Sequence, residues 1–360
     1  MSMLRSGSRE GHTGLPESAV RTTGNAARDD AGDRIRESCR SDSLPKPQEG
    51  RSGTVSPAGR PERIDALFVV DAGPETGLGH ASRCAALAHE LAARGLTVAV
   101  QCADPELARP VFGQPVHPYE DRSAPLIVMD GYRFSDAEKE ARRYRCDTLV
   151  LIDDLADAPF AADIVVNQNL HAKGLDYSAY RAAQVLAGPE YALLRPAFAD
   201  LHATPRPHDG AILVTLGAST LGRKAIGIAN RIAERIDRQV HVVVGEGLAA
   251  TEPLHPRVEV LSGVDMPDLM KTCRHYIGAM GVSYLEALAA GLSTTAIAIP
   301  ASQQPAVEAA RRQGLTVLDR IDDPGLVSTV EDALSQPLMP SAMPDGLGVR
   351  RVTAAIAARS

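Results

Sequence analysis

The chain has no tryptophan, and aromatic residues of all kinds make up only 4% of its 360 positions. Proteins that hold single-stranded nucleic acid stack bases on aromatic platforms, so that class is excluded. Positive charge is also short. The formal net charge is −7, opposite in sign to what a nucleic acid or an anionic membrane surface selects. No apolar run approaches the roughly 20 residues that cross a bilayer. Cysteine is sparse: Cys39, Cys84, Cys102, Cys146 and Cys273 are scattered, odd in number and form no CxxC pair. Such spacing supplies neither a disulfide frame nor a zinc site, and reads as reduced thiols of a cytoplasmic protein. Neither a metal nor a cofactor is expected.

What remains is the make-up of a globular enzyme. Hydrophobic residues are 44% and charged residues 23%, a balance that buries a core. The length fits two domains and a tail. Residues 1–61 are rich in Ser, Gly, Arg, Pro and Asp without apolar periodicity. Burial there cannot offset the entropy of ordering, so a disordered tail is expected. No secretory h-region is present in it.

From Ile64 onward, short apolar runs alternate with amphipathic stretches. The runs 64–70, 97–102, 126–130, 148–153 and 163–167 read as strands, with helices at 81–94 and 135–144. After a Pro- and His-rich stretch at 198–209 the alternation restarts, with strands at 211–216, 240–244, 275–279 and 294–299. Helices are expected at 224–235, 283–290, 304–312, 326–334 and 350–358. Strand–helix alternation means parallel sheets with helices on both faces. The expected architecture is α/β, with two Rossmann-like domains, 62–205 and 206–360, facing a cleft. Ligands of such sheets sit at the carboxyl ends of the strands.

Several strand ends carry candidate chemistry. Thr76-Gly-Leu-Gly-His-Ala-Ser-Arg83 joins a strand to a helix. Gly79 lets a ligand approach the backbone, and the helix start offers free N–H groups to an anion. His80 stands at that start, where an imidazole can act as a base near neutral pH. The loop is not the GxGxxG dinucleotide fingerprint, because His80 and Arg83 occupy the wrong places.

A second strand–glycine–helix turn is Gly278-Ala-Met-Gly-Val-Ser-Tyr-Leu-Glu286. The N–H groups of Gly281, Val282 and Ser283 can receive a diphosphate, with Met280 beside them in the nucleotide turn. Glu286, one turn on, can accept hydrogen bonds from two ribose hydroxyls through its two oxygens. Gly217 and Ser219, in Leu216-Gly-Ala-Ser219, form a third turn able to touch phosphates. Asn167 and Asn169 follow a buried strand and can meet sugar hydroxyls or amides. Arg195 can meet an anion or order the domain junction. Asp154, after Asp153, can bind a hydroxyl or orient a base.

Taken together, the segments Gly77-Leu-Gly-His-Ala-Ser-Arg83, Val128-Met-Asp-Gly-Tyr132, Leu151-Ile-Asp-Asp154, Asp163-Ile-Val-Val-Asn-Gln-Asn169, Tyr191-Ala-Leu-Leu-Arg195, Gly278 to Glu286 and Ser302-Gln-Gln-Pro305 resemble a known family. It is the pseudaminic-acid pathway hydrolases of UDP-2,4-diacetamido-2,4,6-trideoxy-altropyranose, with the SpsG-like polysaccharide-biosynthesis proteins. The resemblance runs from about Ile64 past Gly314. It implies a GT-B fold, similar to the lipid-II GlcNAc transferase, with the nucleotide on the C-terminal domain near Glu286.

It also implies metal-independent hydrolysis of a UDP-linked amino sugar at the anomeric carbon, for nonulosonic-acid or surface-glycan synthesis. His80 and Tyr132 fall on the family's catalytic positions. Gly79, Arg83, Asp154, Asn167, Asn169, Arg195, Ser302 and Gln303 are expected around the sugar and its phosphate. The chain departs from the pattern at Gly131, where the family has histidine, at Ser302, where it has asparagine, and at Met280, where it has glycine. The alternatives are a GT-B glycosyltransferase using the same cleft and a non-catalytic sugar-nucleotide-binding protein. A cytoplasmic monomer or weak homodimer is expected, with no nucleic-acid partner and no membrane insertion.

Overall fold

The computed structural model describes residues 63–73, 76–156, 161–181, 184–217, 221–245, 248, 253–299, 304–337 and 344–359. The stretch 1–61, expected to be a tail, lies outside the described residues, as do Ser219, Ser302 and Gln303.

The chain builds two parallel sheets. The first contains β1 (Ala66–Val70), β2 (Val98–Cys102), β3 (Val116–His117), β4 (Leu126–Asp130), β5 (Thr148–Ile152), β6 (Ile164–Asn167) and β7 (Gln184–Ala187), in the order β3-β2-β1-β4-β5-β6-β7. Its helices are α1 (Gly79–Ala93), α2 (Pro105–Phe112) and α3 (Asp136–Arg143). A short helix, α4 (Ala197–His202), precedes the second sheet.

That sheet contains β8 (Ala211–Thr215), β9 (Val240–Val243), β10 (Val258–Leu261), β11 (Cys273–Ala279), β12 (Ser293–Ile297) and β13 (Thr316–Leu318), in the order β10-β9-β8-β11-β12-β13. With it run α5 (Gly222–Arg235), α6 (Met266–Lys271), α7 (Val282–Ala289), α8 (Gln304–Arg312) and α9 (Leu326–Ser335), and the last helix is α10 (Gly348–Ala357).

Burial on both faces explains the unbroken apolar runs. In β1, Ala66, Phe68 and Val70 pack with α1, while Leu67 and Val69 enter the core on the opposite face. Strand order reverses between β1 and β4, and again between β8 and β11. A crevice opens at such a reversal, at the carboxyl ends of the strands.

Some elements carry no strong period in the sequence. Helix α2 is nucleated by the Asp104 carboxylate, which accepts from the Leu107 N–H, and by Pro105 at its start; it ends on Gly113 at φ 62°. Pro110 inside it masks the pattern. Helix α4 occupies the stretch that reads as a Pro- and His-rich connection, and its Phe198 and Leu201 join the core of the second sheet. Helix α10 returns to the first sheet, where Val349, Val352 and Ile356 enter its core.

The chain passes between the layers at Ala192 to Leu194. Leu193 belongs to the first core, whereas its neighbours Ala192 and Leu194 belong to the second. The returning segment packs directly on this crossing: a Cβ on Gly348 would stand 2.2 Å from the Ala192 carbonyl oxygen, and one on Gly346 2.3 Å from the Ala199 nitrogen. No other residue type fits at either position.

Candidate active site

The start of α1 follows β1 at the reversal point, and the start of α7 follows β11 at the other. A Cβ on Gly79 would lie 4.0 Å from Val282 Cγ2, so the two helix starts face each other. Neither has a side-chain cap and neither carries an acid in its first turn. Two sets of unpaired N–H groups and two positive dipole ends therefore converge on one place.

His80 opens α1 and is 7% exposed, its ring nearly enclosed. Its Nδ1 lies 2.7 Å from Asp130 Oδ1 at the end of β4. Arg83 Nη2 also stands 3.0 Å from Nδ1, but the ionised carboxylate is nearer and offers only lone pairs, so the proton sits on Nδ1 and Nε2 is left as an acceptor. Nε2 has no hydrogen-bond partner among the described residues. Asp130 offsets the positive charge the ring gains when Nε2 takes a proton.

Arg83, one turn further along α1, donates from Nε and Nη2 to Asp130 (2.7 and 2.6 Å) and from Nη1 and Nη2 to Asp154 (2.8 and 3.0 Å). The Cys84 thiol also donates to Asp130, at 3.3 Å. Burial by itself would raise the Asp130 pKa, but the Arg83 and His80 charges and hydrogen bonds hold it well below the usual carboxylate range. Asp154 is lowered too, with burial opposed by Arg83. Burial would lower the Arg83 pKa, yet its two carboxylates push it further up. Arg83, read from sequence as a substrate contact, is thus engaged internally and sets the geometry of two acids.

Asp154 is the second hub. It accepts from the Tyr132 hydroxyl at 2.6 Å and from Asn169 Nδ2 at 2.6 Å. Tyr132 is 57% exposed as a residue, and its ring meets the His80 ring edge-on, with centroids 4.8 Å apart. Burial of its hydroxyl, followed by the Asp154 charge, pushes its pKa up. Asn167 is fully buried and holds the Asn169 backbone N–H at 3.1 Å, so it supports its neighbour and offers no open face to a sugar.

On the second sheet, Glu286 is 8% exposed and its pKa is pushed up to about 7 by burial, with Arg195 opposing and Asp265 adding to the rise. Arg195 reaches across the layers to Asp265, 2.7 Å from Nη1 to Oδ2. Met280 is buried in the second core, Gly281 is the residue before α7, and Val282 and Ser283 form its first turn. Gly217, at φ 81°, follows the end of β8. A concavity of about 650 Å³ lies elsewhere, lined by Lys224, Arg231 and Asp319 among others, and includes none of these residues.

Thus His80, Arg83, Tyr132, Asp154, Asn167 and Asn169 come together on the first sheet, and Glu286, Val282 and Ser283 on the second. Asp130 was not singled out from the sequence. Its one signal is a carboxylate ending an otherwise apolar strand, in the segment Val128-Met-Asp-Gly-Tyr132.

Fold and site define a two-sheet α/β architecture of the GT-B kind, and comparison with solved structures agrees. The chain is similar to the spinosyn forosaminyltransferase SpnP (TM-score 0.56, 15% identity, 82% of this chain and 96% of that one). It is similar to the glycotransferase of kitacinnamycin (TM-score 0.54, 15% identity, 83% and 96%). It also resembles the UDP-GlcNAc 2-epimerase of Neisseria meningitidis, solved with UDP-GlcNAc (TM-score 0.55, 10% identity, 82% and 100%). At these identities the likeness defines the fold. No protein-family model matches the chain, and no curated protein matches it in sequence.

Proposed function

We propose that the protein is a metal-independent glycosyltransferase that moves a sugar from a nucleoside diphosphate, UDP by the sequence resemblance, to a hydroxyl acceptor. The observation that carries this reading is the meeting of two uncapped helix starts beside a histidine whose Nδ1 is claimed by a buried carboxylate. The α7 turn, Gly281 to Ser283, takes the diphosphate, and Glu286 takes the ribose hydroxyls. Gly217, and Ser219 from the sequence reading, remain proposed contacts to the phosphates. Nε2 of His80 accepts the acceptor's hydroxyl proton as its oxygen bonds to the anomeric carbon. The bond from that carbon to the phosphate oxygen breaks, and the nucleoside diphosphate leaves with its electron pair. Helix N–H groups stabilise the charge that develops on it. Tyr132 lines the His80 side, while Asn169, Arg195, Ser302 and Gln303 remain proposed contacts to sugar or phosphate.

Water in place of the acceptor hydroxyl turns the same atoms into a hydrolase, and the motif resemblance favours that second reading. One experiment separates them. Purified protein is incubated with UDP-sugars, with and without a panel of hydroxyl acceptors, and the products are followed by NMR. Transfer requires acceptor for UDP release. Hydrolysis yields UDP and free sugar in buffer alone. No release under either condition sinks both.

A further inference from the structure

We infer that a preformed pocket behind Tyr132 selects a short, uncharged alkyl or acyl substituent on the molecule bound against His80, an assignment that rests on the transferase reading above. Between the ends of β4 and β5 lies a cavity of about 100 Å³ lined by Met129, Tyr132, Phe134, Lys139, Leu151 and Leu155, together with Gly131, Ile152 and Asp153. Tyr132 is the partition: its ring stands edge-on to the His80 ring, centroids 4.8 Å apart, and the same side chain walls the cavity. Met129 and Leu151 belong to the sheet face opposite α1, so a molecule resting on Tyr132 beside His80 would reach the cavity past the edge of that ring.

Its wall is fixed before any ligand arrives. A Cβ on Gly131 would stand 2.2 Å from Asp71 Cβ and 3.0 Å from Phe134 Cε2, so the loop is seated on β1. Arg133 ties the loop to Asp71 at 2.6 Å, and Phe134 packs edge-on with Tyr119, centroids 5.8 Å apart. Tyr132 is held through its hydroxyl by Asp154. Gly131, where the resembling family has histidine, is what allows this close seating.

Size and lining define the occupant. A water occupies roughly 30 Å³ of liquid, so the space suits about three to four non-hydrogen atoms. Methionine, leucine and phenylalanine walls favour an apolar tip, and the two charged groups of the lining are already engaged, Lys139 with Asp136 and Asp153 with the Tyr180 hydroxyl and the Leu155 N–H, so neither is free to balance a buried charge. The Lys139 side chain, 18% exposed and with its ammonium 3.7 Å from Asp136, lines the cavity as a donor to a carbonyl oxygen.

The test reads Met129, which is 2% exposed. Protein carrying ¹³C-methyl methionine is titrated with methyl glycosides differing at one position: hydroxyl, methoxy, acetyl ester or pivaloyl ester. The Met129 methyl signal, assigned with Met129→Leu, should shift with methoxy and acetyl, and stay put with hydroxyl and pivaloyl. Leu155→Trp, at a 40% exposed residue of the lining, should abolish the shift without changing the melting temperature.

The same series on UDP-sugars reports whether the substituent enters with the donor or the acceptor. In turnover, Leu155→Trp should lower the kcat/KM ratio of acetylated over hydroxyl substrate by roughly tenfold to a hundredfold. A Met129 signal blind to the substituent, or equal loss of both substrates, overturns the pocket. Selective Met129 shifts without any turnover of nucleotide sugars would retire the transferase and keep the pocket.

Discussion

Replacing Asp130 by asparagine tests the centre of the argument, because one oxygen becomes a donor in a place surrounded by donors. Placed at Oδ1, the new NH₂ faces His80 Nδ1 and Arg83 Nη2, now 2.7 and 2.6 Å away. Placed at Oδ2, it faces Arg83 Nε at 2.7 Å and the Cys84 thiol at 3.3 Å. Either way Arg83 keeps its charge with only Asp154 to balance it. Removing one partner of a buried pair costs about 3–5 kcal/mol, which lowers the melting temperature by roughly 5–8 °C in a chain of this size.

In the first orientation His80 must accept at Nδ1, and Nε2 then carries the proton and is no longer a base. Turnover should fall by about 10²–10⁴, the usual weight of a general base. UDP affinity should hold, because Glu286 and the α7 turn belong to the other sheet. ¹⁵N NMR of His80 should show the Nδ1–H form in the wild type and its loss in Asp130→Asn. Acid unfolding adds a second readout. Asp130 ionises below the ordinary carboxylate range in the folded protein, so the unfolded chain takes up the proton first as pH falls. The stability it contributes is present above about pH 4 and lost below it, and Asp130→Asn should blunt that loss. Turnover within threefold of wild type with the Nδ1–H form unchanged would refute the dyad. Loss of UDP binding as large as the loss of rate would refute the division of labour between the sheets.

His80→Asn should keep the Asp130–Arg83 pairing and UDP affinity while kcat drops about 10²-fold or more; equal loss in calorimetry and kinetics would make the turn structural. UDP binding should release a proton near pH 7, because ribose hydroxyls favour the ionised form of Glu286, whose pKa of about 7 reflects burial; calorimetry in buffers of different ionisation enthalpy should detect it, and Glu286→Gln should remove it. Without ligand, the raised pKa of Glu286 means its folding contribution declines as pH rises from about 4.5 to 7, by roughly 3 kcal/mol, so its Gln variant should melt with a flatter pH profile. EDTA should leave turnover intact, since the lone pairs of Asp130 and Asp154 are taken by Arg83, His80, Tyr132 and Asn169; activity restored only by a divalent ion would contradict this. Gly131→Ala should destabilise by about 1–3 kcal/mol or more, through overpacking against Asp71, and an unchanged melting temperature would mean the loop is not seated as described.

How much of this was legible depends on how far apart the partners lie. His80 stands out because a glycine turn, a strand end and a helix start are consecutive in sequence, and their geometry follows from local rules. Arg83, three residues on, shares the helix face of His80, so its position was legible. Its role was not, because a cation at a helix start suggests an anionic ligand and nothing local reveals two carboxylates above it. Asp130 is 50 residues from His80, and the two meet only because β4 pairs with β1 across the order reversal. A terminal aspartate on an apolar strand looks the same whether it meets water or a histidine. The small strands β3, β7, β10 and β13 were missed for a different reason: two to four residues carry too little alternation to register, and neighbouring strands impose their shape.

The contact between Gly348 and Ala192 has a mechanical consequence. The polypeptide joins its two layers twice, and the joints lie side by side, packed so closely that the returning one admits no Cβ at Gly346 or Gly348. Two joints far apart would make a rigid wall; two joints in contact make a single pivot. A rotation about it leaves Ala192 nearly stationary and is felt most at points remote from it. The approach of Gly79 to Val282, where the proposed leaving group and base would meet, then depends on how two glycines outside that site pack.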